Sequence, residues 1–380
     1  MADSLTLDSD DRRLVRALLI DPRVPFATLA SVLERSEPTV ARRYARMRRT
    51  GALRVTGVVD RSRLGQSQCT VRLRCRPGSV GTIAQALAQR EDVGWVAIST
   101  GGGEITCAVR SRTPADRDDL LGTKLPRAAA LLDLQTSVML RKFLGGRGRY
   151  WAALAGSLTE SEESRLRSTG RPFEEEPVGP HRSRLRLDEQ DDGLLAALAA
   201  DGRASLAELA TAAGMTPGRA GRRLATLLSE QLVHLHVEIA PAALGYRTLA
   251  NLWLRVRPDE LKAVGRSLAA LPEVGFVAAM SGRDNLHAVV HCHDLDELFE
   301  FTSGQVGSLP GVEAAEVSVI DRQIKQAGTM LDGDRLAQPA GRLVRPSQPG
   351  RSSARPSHAA RSASSRSTAT VIARSNGTSR

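Results

Sequence analysis

The sequence predicts an α+β chain made of two tandem copies, each a winged-type helix-turn-helix followed by a ferredoxin-like β-α-β-β-α-β unit. Three observations predict it: a self-similarity at near-constant offset, a three-helix order opening each copy, and alternating strand and helix patterns after it. Leu7-Asp8 recurs as Leu187-Asp188, and the offset of 180 holds without a gap to Val55, which aligns with Leu235. Identical pairs include Asp11/Asp191, Leu14/Leu194, Asp21/Asp201, Arg23/Arg203, Leu29/Leu209, Arg42/Arg222 and Arg43/Arg223. Leu64-Gly65 recurs as Leu244-Gly245. One inserted residue then makes the offset 181, so that Val93-Gly94-Trp95-Val96-Ala97 matches Val274-Gly275-Phe276-Val277-Ala278. Such a repeat over both halves of each copy marks a duplication. The expected boundaries are helix-turn-helix units at 5–60 and 185–240 and sheet units at 61–144 and 241–328. A linker at 145–184 and a disordered Ser/Arg-rich tail at 329–380 complete the chain.

In the first unit, Leu14, Leu18 and Leu19 follow helical spacing behind the acidic start Asp8, Asp10 and Asp11, which suits a helix N-terminus. A Pro22/Pro25 break follows, then a short helix burying Phe26, Leu29, Ala30 and Leu33. Ser36 is placed to cap a third helix, with Pro38 in its first turn, Val40, Tyr44 and Met47 inward, and Gly51 ending it. Leu53 and Val55 start an extended segment. The second copy keeps the frame with Thr216 as cap and Leu224 and Leu227 packing, but Gln231 replaces the terminal glycine.

The third helix is densely basic: Arg42, Arg43, Arg46, Arg48, Arg49 and Arg54 stand against Glu37 alone. Its counterpart has Arg219, Arg222 and Arg223 against Glu230. Arginine forks suit phosphates and guanine edges, and a helix N-terminus offers free N–H groups to phosphate. The expected partner is therefore double-stranded DNA. It would be contacted by Ser36, Glu37, Pro38, Thr39, Arg42, Arg43 and Arg46 in the first copy and Thr216, Pro217, Arg219, Arg222 and Arg223 in the second. By charge, the first helix is expected to dominate affinity.

In the sheet units, Cys69–Cys75 alternates as a strand, Val80–Gln89 is helical, and Val93–Ser99 and Glu104–Val109 are strands around Gly101-Gly102-Gly103. A polar helix at Pro114–Leu125 and a strand at Leu132–Leu140 follow. The second copy repeats the order at Leu249–Val256, Glu260–Leu271, Val274–Met280, Leu286–His291, Leu295–Leu309 and Val312–Ile320. Helices cover one face of such a sheet and the other needs a partner, so the units should pair. Because both copies share one chain, an intramolecular pseudo-dimer is expected, with homo-oligomers beyond it. The linker should hold a short helical piece around Ala152–Arg167.

The net charge of +11 says less than it suggests, because nine arginines and no Asp, Glu or Lys lie from Arg335 onward. Aromatic residues make up only 3%, which argues against a base-stacking RNA platform. Four cysteines without CxxC spacing fit a reducing compartment. No apolar run nears the roughly 20 residues of a membrane helix. A cytoplasmic, nucleoid-associated protein with no membrane partner is expected.

The ordered set Leu7-Asp8-x-x-Asp11-x-x-Leu14, Asp21-x-Arg23, Leu29-Ala30, Ser36-x-x-Thr39-Val40-x-x-Arg43, Gly51 and Leu64-Gly65 resembles the Lrp/AsnC family of feast/famine regulators. Asp188, Asp191, Asp201, Arg203, Leu209-Ala210, Thr216 and Arg223 repeat it. The resemblance covers about 7–143 and 187–325. It implies DNA reading by the third helix, dimerisation through RAM or AsnC-type ligand-binding domains, and amino-acid effectors near a Thr-Gly-x-x-Asp loop. Here that loop is Thr100-Gly101-Gly102-Gly103-Glu104, and Ser281-Gly282-Arg283-Asp284-Asn285 in the second copy. Glu104 and Asn285 stand where the Asp is expected.

Sirohaem decarboxylases resemble the same two-unit architecture, so an enzyme acting on a tetrapyrrole is a rival reading. It would draw on His287, His291 and His293, which alternation sets on one strand face. An architectural DNA binder without effector is another. The chain lacks G-x-x-x-x-G-K-[ST], G-x-S-x-G and H-E-x-x-H, and the triple glycine does not precede a helix. No catalytic residue, cofactor or metal site is expected.

Overall fold

The computed structural model describes residues 5–145, 152–169 and 187–338, apart from 61–62, 65, 67, 111–114, 116–117 and 126–128. Helix α1 (Ser9–Ile20) starts at a reciprocal cap. The Asp11 N–H donates to Asp8 Oδ1 (2.8 Å) and the Asp8 N–H to Asp11 Oδ2 (3.2 Å), satisfying two of the helix's orphan donors. Helices α2 (Phe26–Leu33) and α3 (Glu37–Thr50) follow. Ser36 caps α3, and Gly51 ends it at φ +74°, a conformation that favours glycine. Strand β1 (Leu53–Val59) leads into the first sheet unit, β2 (Cys69–Cys75), α4 (Val80–Ala88), β3 (Val93–Ser99), β4 (Glu104–Val109) and β5 (Leu131–Leu144). A turn of π-helix at Asp119–Lys124 stands within the expected polar helix, whose first residues lie outside the described ones.

The linker reading gains a definite role. Helix α5 (Glu160–Thr169) buries Leu166 with Leu154 and Leu158 in the core of the first helical unit. Its acidic side pairs Glu163 with Arg16 (2.7 Å) and Glu162 with Arg13, both on α1. The second copy comprises α6 (Glu189–Ala200), α7 (Leu206–Ala213), α8 (Pro217–Ser229) and β6 (Val233–Ile239). Its sheet unit is β7 (Thr248–Val256), α9 (Leu261–Ala269), β8 (Val274–Met280), β9 (Leu286–Cys292), α10 (Leu295–Glu300) and β10 (Val312–Gln326).

Each sheet unit has the order expected of its pattern, β3-β4-β2-β5 and β8-β9-β7-β10. The two join at both edges, β5 to β8 and β10 to β3, closing a ring of eight strands. The edge pairings are related by the repeat: Met139 faces Met280 as Ile320 faces Ser99. Unpaired edges invite wrong association, and closure removes them. Alternation puts Val71, Leu73, Ile105 and Cys107 on the helix-covered side of the first sheet, and Leu252, Leu254, Ala288 and Val290 on that of the second. The opposite faces look inward.

Both strands after the third helices pair with each other rather than within their own copies. β1 and β6 form an antiparallel ribbon from Leu53↔Ile239 to Val59↔Val233. Thr56 lies opposite His236, its own counterpart in the repeat, so an approximate dyad passes there.

The boundary of the tail moves. Residues expected to start a disordered segment at 329 form β11 (Thr329–Asp332) and β12 (Arg335–Leu336), turned at Gly333. Leu336 is buried against the first helical unit, its N–H donating to Gly51 O (2.9 Å). Arg335 donates to Thr50 O (3.2 Å). Apolar Met330, Leu331 and Leu336 make this hairpin packable; the Ser/Arg composition that predicted disorder begins beyond it.

Candidate nucleic-acid interface

The third helices are built alike. The Thr39 N–H donates to Ser36 Oγ and the Arg219 N–H to Thr216 Oγ1, each at 3.4 Å. Pro38 and Pro217 stand in the first turns. Val40, Tyr44 and Met47 go inward on α3 and Ala220, Leu224 and Leu227 on α8. Helical spacing then leaves Pro38, Arg42, Ala45 and Arg49 exposed on one stripe of α3, and Gly218, Arg222, Ala225 and Ser229 on the equivalent stripe of α8. Glu37 and Arg219 are exposed beside them, with Thr39 half-buried.

Several arginines expected on the DNA are engaged within the protein. Arg43 donates to Asp8 (2.8 Å), Asp10 (3.2 Å) and Asp11 (2.9 Å), and Arg46 pairs with Asp11. Arg223 donates through Nε to Asp191 (2.6 Å). Asp11 and Asp191 are fully buried, so these pairs fix the third helix onto the start of the first. The hydrogen bonds they donate to the Asp carboxylates hold the Arg43 and Arg223 guanidinium groups above their ordinary range. Burial pushes the Asp191 carboxyl up, but the Arg223 hydrogen bond and the Asp188 backbone outweigh it, and the net shift is downward. Arg48 pairs with Asp201 of the other copy (2.9 Å), and Arg54 is buried. Much of the charge that set the two helices apart in sequence is thus absorbed; by exposure alone, Arg42 and Arg49 reach the surface in one and Arg219 and Arg222 in the other.

Sequence reasoning gave no site role to Arg23 and Arg203, yet they join the two helical units. Arg23 donates to Gly202 O and Ala204 O, both at 2.7 Å. Arg203 donates to Pro22 O and Val24 O, both at 2.8 Å. The acceptors are counterparts in the repeat, so each copy reaches into the other's turn before the second helix. Arg203 also lies over Phe26 (4.7 Å) and Tyr44 (5.3 Å), cation–π contacts absent from the sequence pattern. Burial holds both guanidinium groups below their usual range and pushes the Tyr44 phenol up to about 12. The recurrence of Arg23 as Arg203 was the available signal.

The two loops expected at an effector site also cross between copies. The Thr100 N–H donates to Val319 O (3.1 Å), and the Ser281 N–H to Val138 O (2.8 Å). Thr100, Gly101 and Gly102 all have positive φ, and the Gly102 N–H donates to Asp321 (2.8 Å). Glu104 accepts from Arg72 (2.9 Å) at the inward face. Gly282 and Arg283 are exposed and Asp284 half-buried. Asn285 clasps Val256, Oδ1 accepting from its N–H (2.9 Å) and Nδ2 donating to its carbonyl (2.7 Å).

Inside the ring, Arg72 lies over the Trp253 ring at 4.7 Å, and Trp253 stacks on His287 at 3.9 Å and 7°. Arg72 and Trp253 are themselves counterparts. His287 Nε2 is 3.0 Å from Asn251 Oδ1. Burial, followed by the Arg72 charge, holds the His287 imidazole down to about 3, so it is neutral near pH 7. His291 is buried with its ring 5.8 Å from Tyr246, and His293 is exposed past the strand end. The three histidines do not converge, and no group of three or more His, Cys, Asp or Glu among the described residues is arranged for a metal ion. No described helix is long and apolar enough to cross a membrane.

Comparison with known proteins matches residues 7–48 and 187–228 to the AsnC-type helix-turn-helix domain, and 249–330 to the Lrp/AsnC ligand binding domain. An uncharacterized HTH-type transcriptional regulator of Pyrococcus horikoshii is 28% identical over 142 residues, 37% of this chain and 90% of the relative. The HTH-type transcriptional regulator FL11 of the same organism is 28% identical over 144 residues, 38% of this chain and 95% of FL11. Among solved structures, the siroheme decarboxylase NirDL covers 84% of this chain and 93% of its own at a TM-score of 0.55. With 14% identity, it shares the fold.

Proposed function

We propose that the chain is a tandem DNA-binding transcriptional regulator of the Lrp/AsnC type, supported by its matched domains and relatives, and that it reads a two-half-site operator as an intramolecular pseudo-dimer. One observation carries this: the matched exposed stripes of α3 and α8, with Arg42 and Arg222 at the same position. Both arginines project from helices capped and braced by residues that face away from the stripe. In a helix-turn-helix pair, such helices enter successive major grooves, so operator symmetry mirrors protein symmetry. Arg43, Arg46 and Arg223 brace the helices in this reading, while Arg42, Arg49, Arg219 and Arg222 contact DNA, with the caps Ser36 and Thr216 offering backbone N–H groups to phosphate. An amino acid or related small molecule modulates binding through the sheet domains, and chains associate further into homo-oligomers.

The test is an operator chosen by selection with the purified full chain, followed by mobility-shift titration. Arg42→Ala and Arg222→Ala should each weaken binding about tenfold, and by similar factors because the exposed charge is similar. Unchanged affinity in both variants would overturn the reading. The rival tetrapyrrole chemistry is favoured only by the likeness in fold to the siroheme decarboxylase. A Soret band on titrating the chain with haem, lost in His287→Ala or His291→Ala, would support it.

A further inference from the structure

The two third helices start from the same backbone frame. Ser36 and Thr216 precede them at φ −72°, ψ 145° and φ −77°, ψ 152°, both extended. Each cap accepts from the third residue of its helix at the same 3.4 Å. Arg43 on Asp11 and Arg223 on Asp191 fix each helix to the first helix of its own unit. The exchange between Arg23 and Arg203 ties the two units together. What differs is the first turn, which reads Glu37-Pro38-Thr39 in α3 and Pro217-Gly218-Arg219 in α8. One turn further on the helices agree again, with Arg42 and Ala45 matching Arg222 and Ala225.

Glu37, Arg42, Arg219 and Arg222 are exposed, and among the described residues none of their side chains has an ion-pair or hydrogen-bond partner. Thr39 is half-buried, and its Oγ1 lies 2.8 Å from Ser36 Oγ, so that hydroxyl belongs to the cap. The groups offered by the two first turns therefore have opposite charge, a carboxylate on α3 and a guanidinium on α8. In a recognition helix lying in the major groove, the N-terminal residues meet base edges. A carboxylate only accepts: the cytosine amine satisfies it, and the guanine N7 and O6 acceptors repel it. Adenine offers an amine too, but beside its own N7 acceptor. A guanidinium only donates, and takes guanine N7 and O6 together. The first turns thus have opposite base preferences, whereas Arg42 and Arg222 share one.

We infer that the DNA target is an imperfect inverted repeat whose asymmetry is set by Glu37 and Arg219. Each half-site holds a guanine for Arg42 or Arg222. Under the first turns the halves differ, with a cytosine amine facing Glu37 in one and a guanine edge facing Arg219 in the other. A homodimer presents two identical first turns and selects a symmetric site, because operator symmetry follows protein symmetry. One chain holding both copies is released from that constraint. Glu37 and Arg219 then decide which half-site each copy takes, and so the direction in which the chain lies on DNA. This rests on the regulator reading above and adds to it the unequal halves of the target and their polarity.

The test is selection from a random duplex pool by the purified full chain, repeated with two grafted variants. Glu37→Pro/Pro38→Gly/Thr39→Arg gives α3 the first turn of α8, and Pro217→Glu/Gly218→Pro/Arg219→Thr does the reverse. Proline is at home in a first turn; melting curves check that each variant is folded, and either one suffices. The wild-type chain should enrich a site with unequal halves. The first graft should enrich a symmetric site made of two Arg219-type halves, and the second a symmetric site made of two Glu37-type halves. On the wild-type site, Arg219→Ala should lose about tenfold in preference for guanine at its position, and Glu37→Gln about tenfold in preference for cytosine over guanine. A symmetric site enriched by the wild-type chain, or the unequal site enriched by folded grafts, would overturn the inference and leave the regulator reading standing. No enriched sequence at all would remove the regulator reading itself.

Discussion

The two copies have the same order of elements and meet about an approximate dyad, yet the residues nearest that dyad differ most in kind. Thr56 faces His236 in the ribbon, and Arg72 stacks on Trp253 inside the ring. In a homodimer each of these positions would meet itself, placing Arg against Arg or Trp against Trp. Two guanidinium groups in one buried layer repel, whereas a guanidinium over an indole attracts. Fusion into one chain frees dyad positions from identity. Farther out, where copies contact through backbone carbonyls, identity is kept: Arg23 and Arg203 make the same exchange in both directions.

The largest expected effect tests this exchange. Removing either arginine strands two half-buried carbonyls, which costs roughly 2–4 kcal/mol. Arg203→Ala should cost about 1 kcal/mol more than Arg23→Ala, because only Arg203 also lies over Phe26 and Tyr44. Urea unfolding of the two variants measures the difference. Equal losses would mean that the aromatic contacts add nothing and that the copies are energetically alike here.

How far the sequence reached follows the range of the interactions. Caps and turns were legible because they are local: Asp8 with Asp11, Ser36 with Thr39, and Gly51 all act within a few residues. The sheet order was legible because alternation and helix spacing fix it. The roles of Arg43 and Arg46 were not, since a basic helix facing DNA and one clamped to buried Asp11 have the same composition. Arg43 meets its partners more than thirty positions away. The ribbon was hidden for the same reason, as strand patterns do not name their partners. Nothing near Glu238 in the sequence marks it as facing Arg54. In the tail, the arginine-rich composition masked a short apolar stretch that packs as β11 and β12.

A smaller and pH-dependent difference separates the ring positions His287 and Thr106, counterparts in the repeat. His287 has a folded value of about 3 against an ordinary 6.5. Below pH 6.5 the unfolded chain takes up a proton that the folded chain does not, so the folded state loses stability as pH falls. The loss is on the order of 1.4 kcal/mol per pH unit between about 6.5 and 3, reaching about 2 kcal/mol at pH 5. His287→Thr should cost stability at pH 7 by removing the ring beneath Trp253, while flattening the slope between pH 7 and 5. Chemical denaturation at both pH values gives the slope; one as steep as wild type would place the acid sensitivity elsewhere.

The smallest effect lies at the ends of the third helices. Gly51 sits at φ +74° and Gln231 at φ +54°, so both copies demand a left-handed residue and only the first supplies glycine. Gln231→Gly relieves that strain but adds entropy to the unfolded chain, for a net gain of about 0.5–1 kcal/mol. The reverse change meets a second obstacle. A Cβ on Gly51 would come within 2.6 Å of Leu336 O, against the hairpin that holds the first helical unit. Gly51→Ala should therefore cost about 1–2 kcal/mol, more than the backbone alone requires. Pairing Gly51→Ala with deletion of residues 335–380 separates the two terms. If the hairpin contact is real, the alanine costs less in the shortened chain than in the full one; an equal cost would leave only the backbone and make the two helix ends equivalent after all.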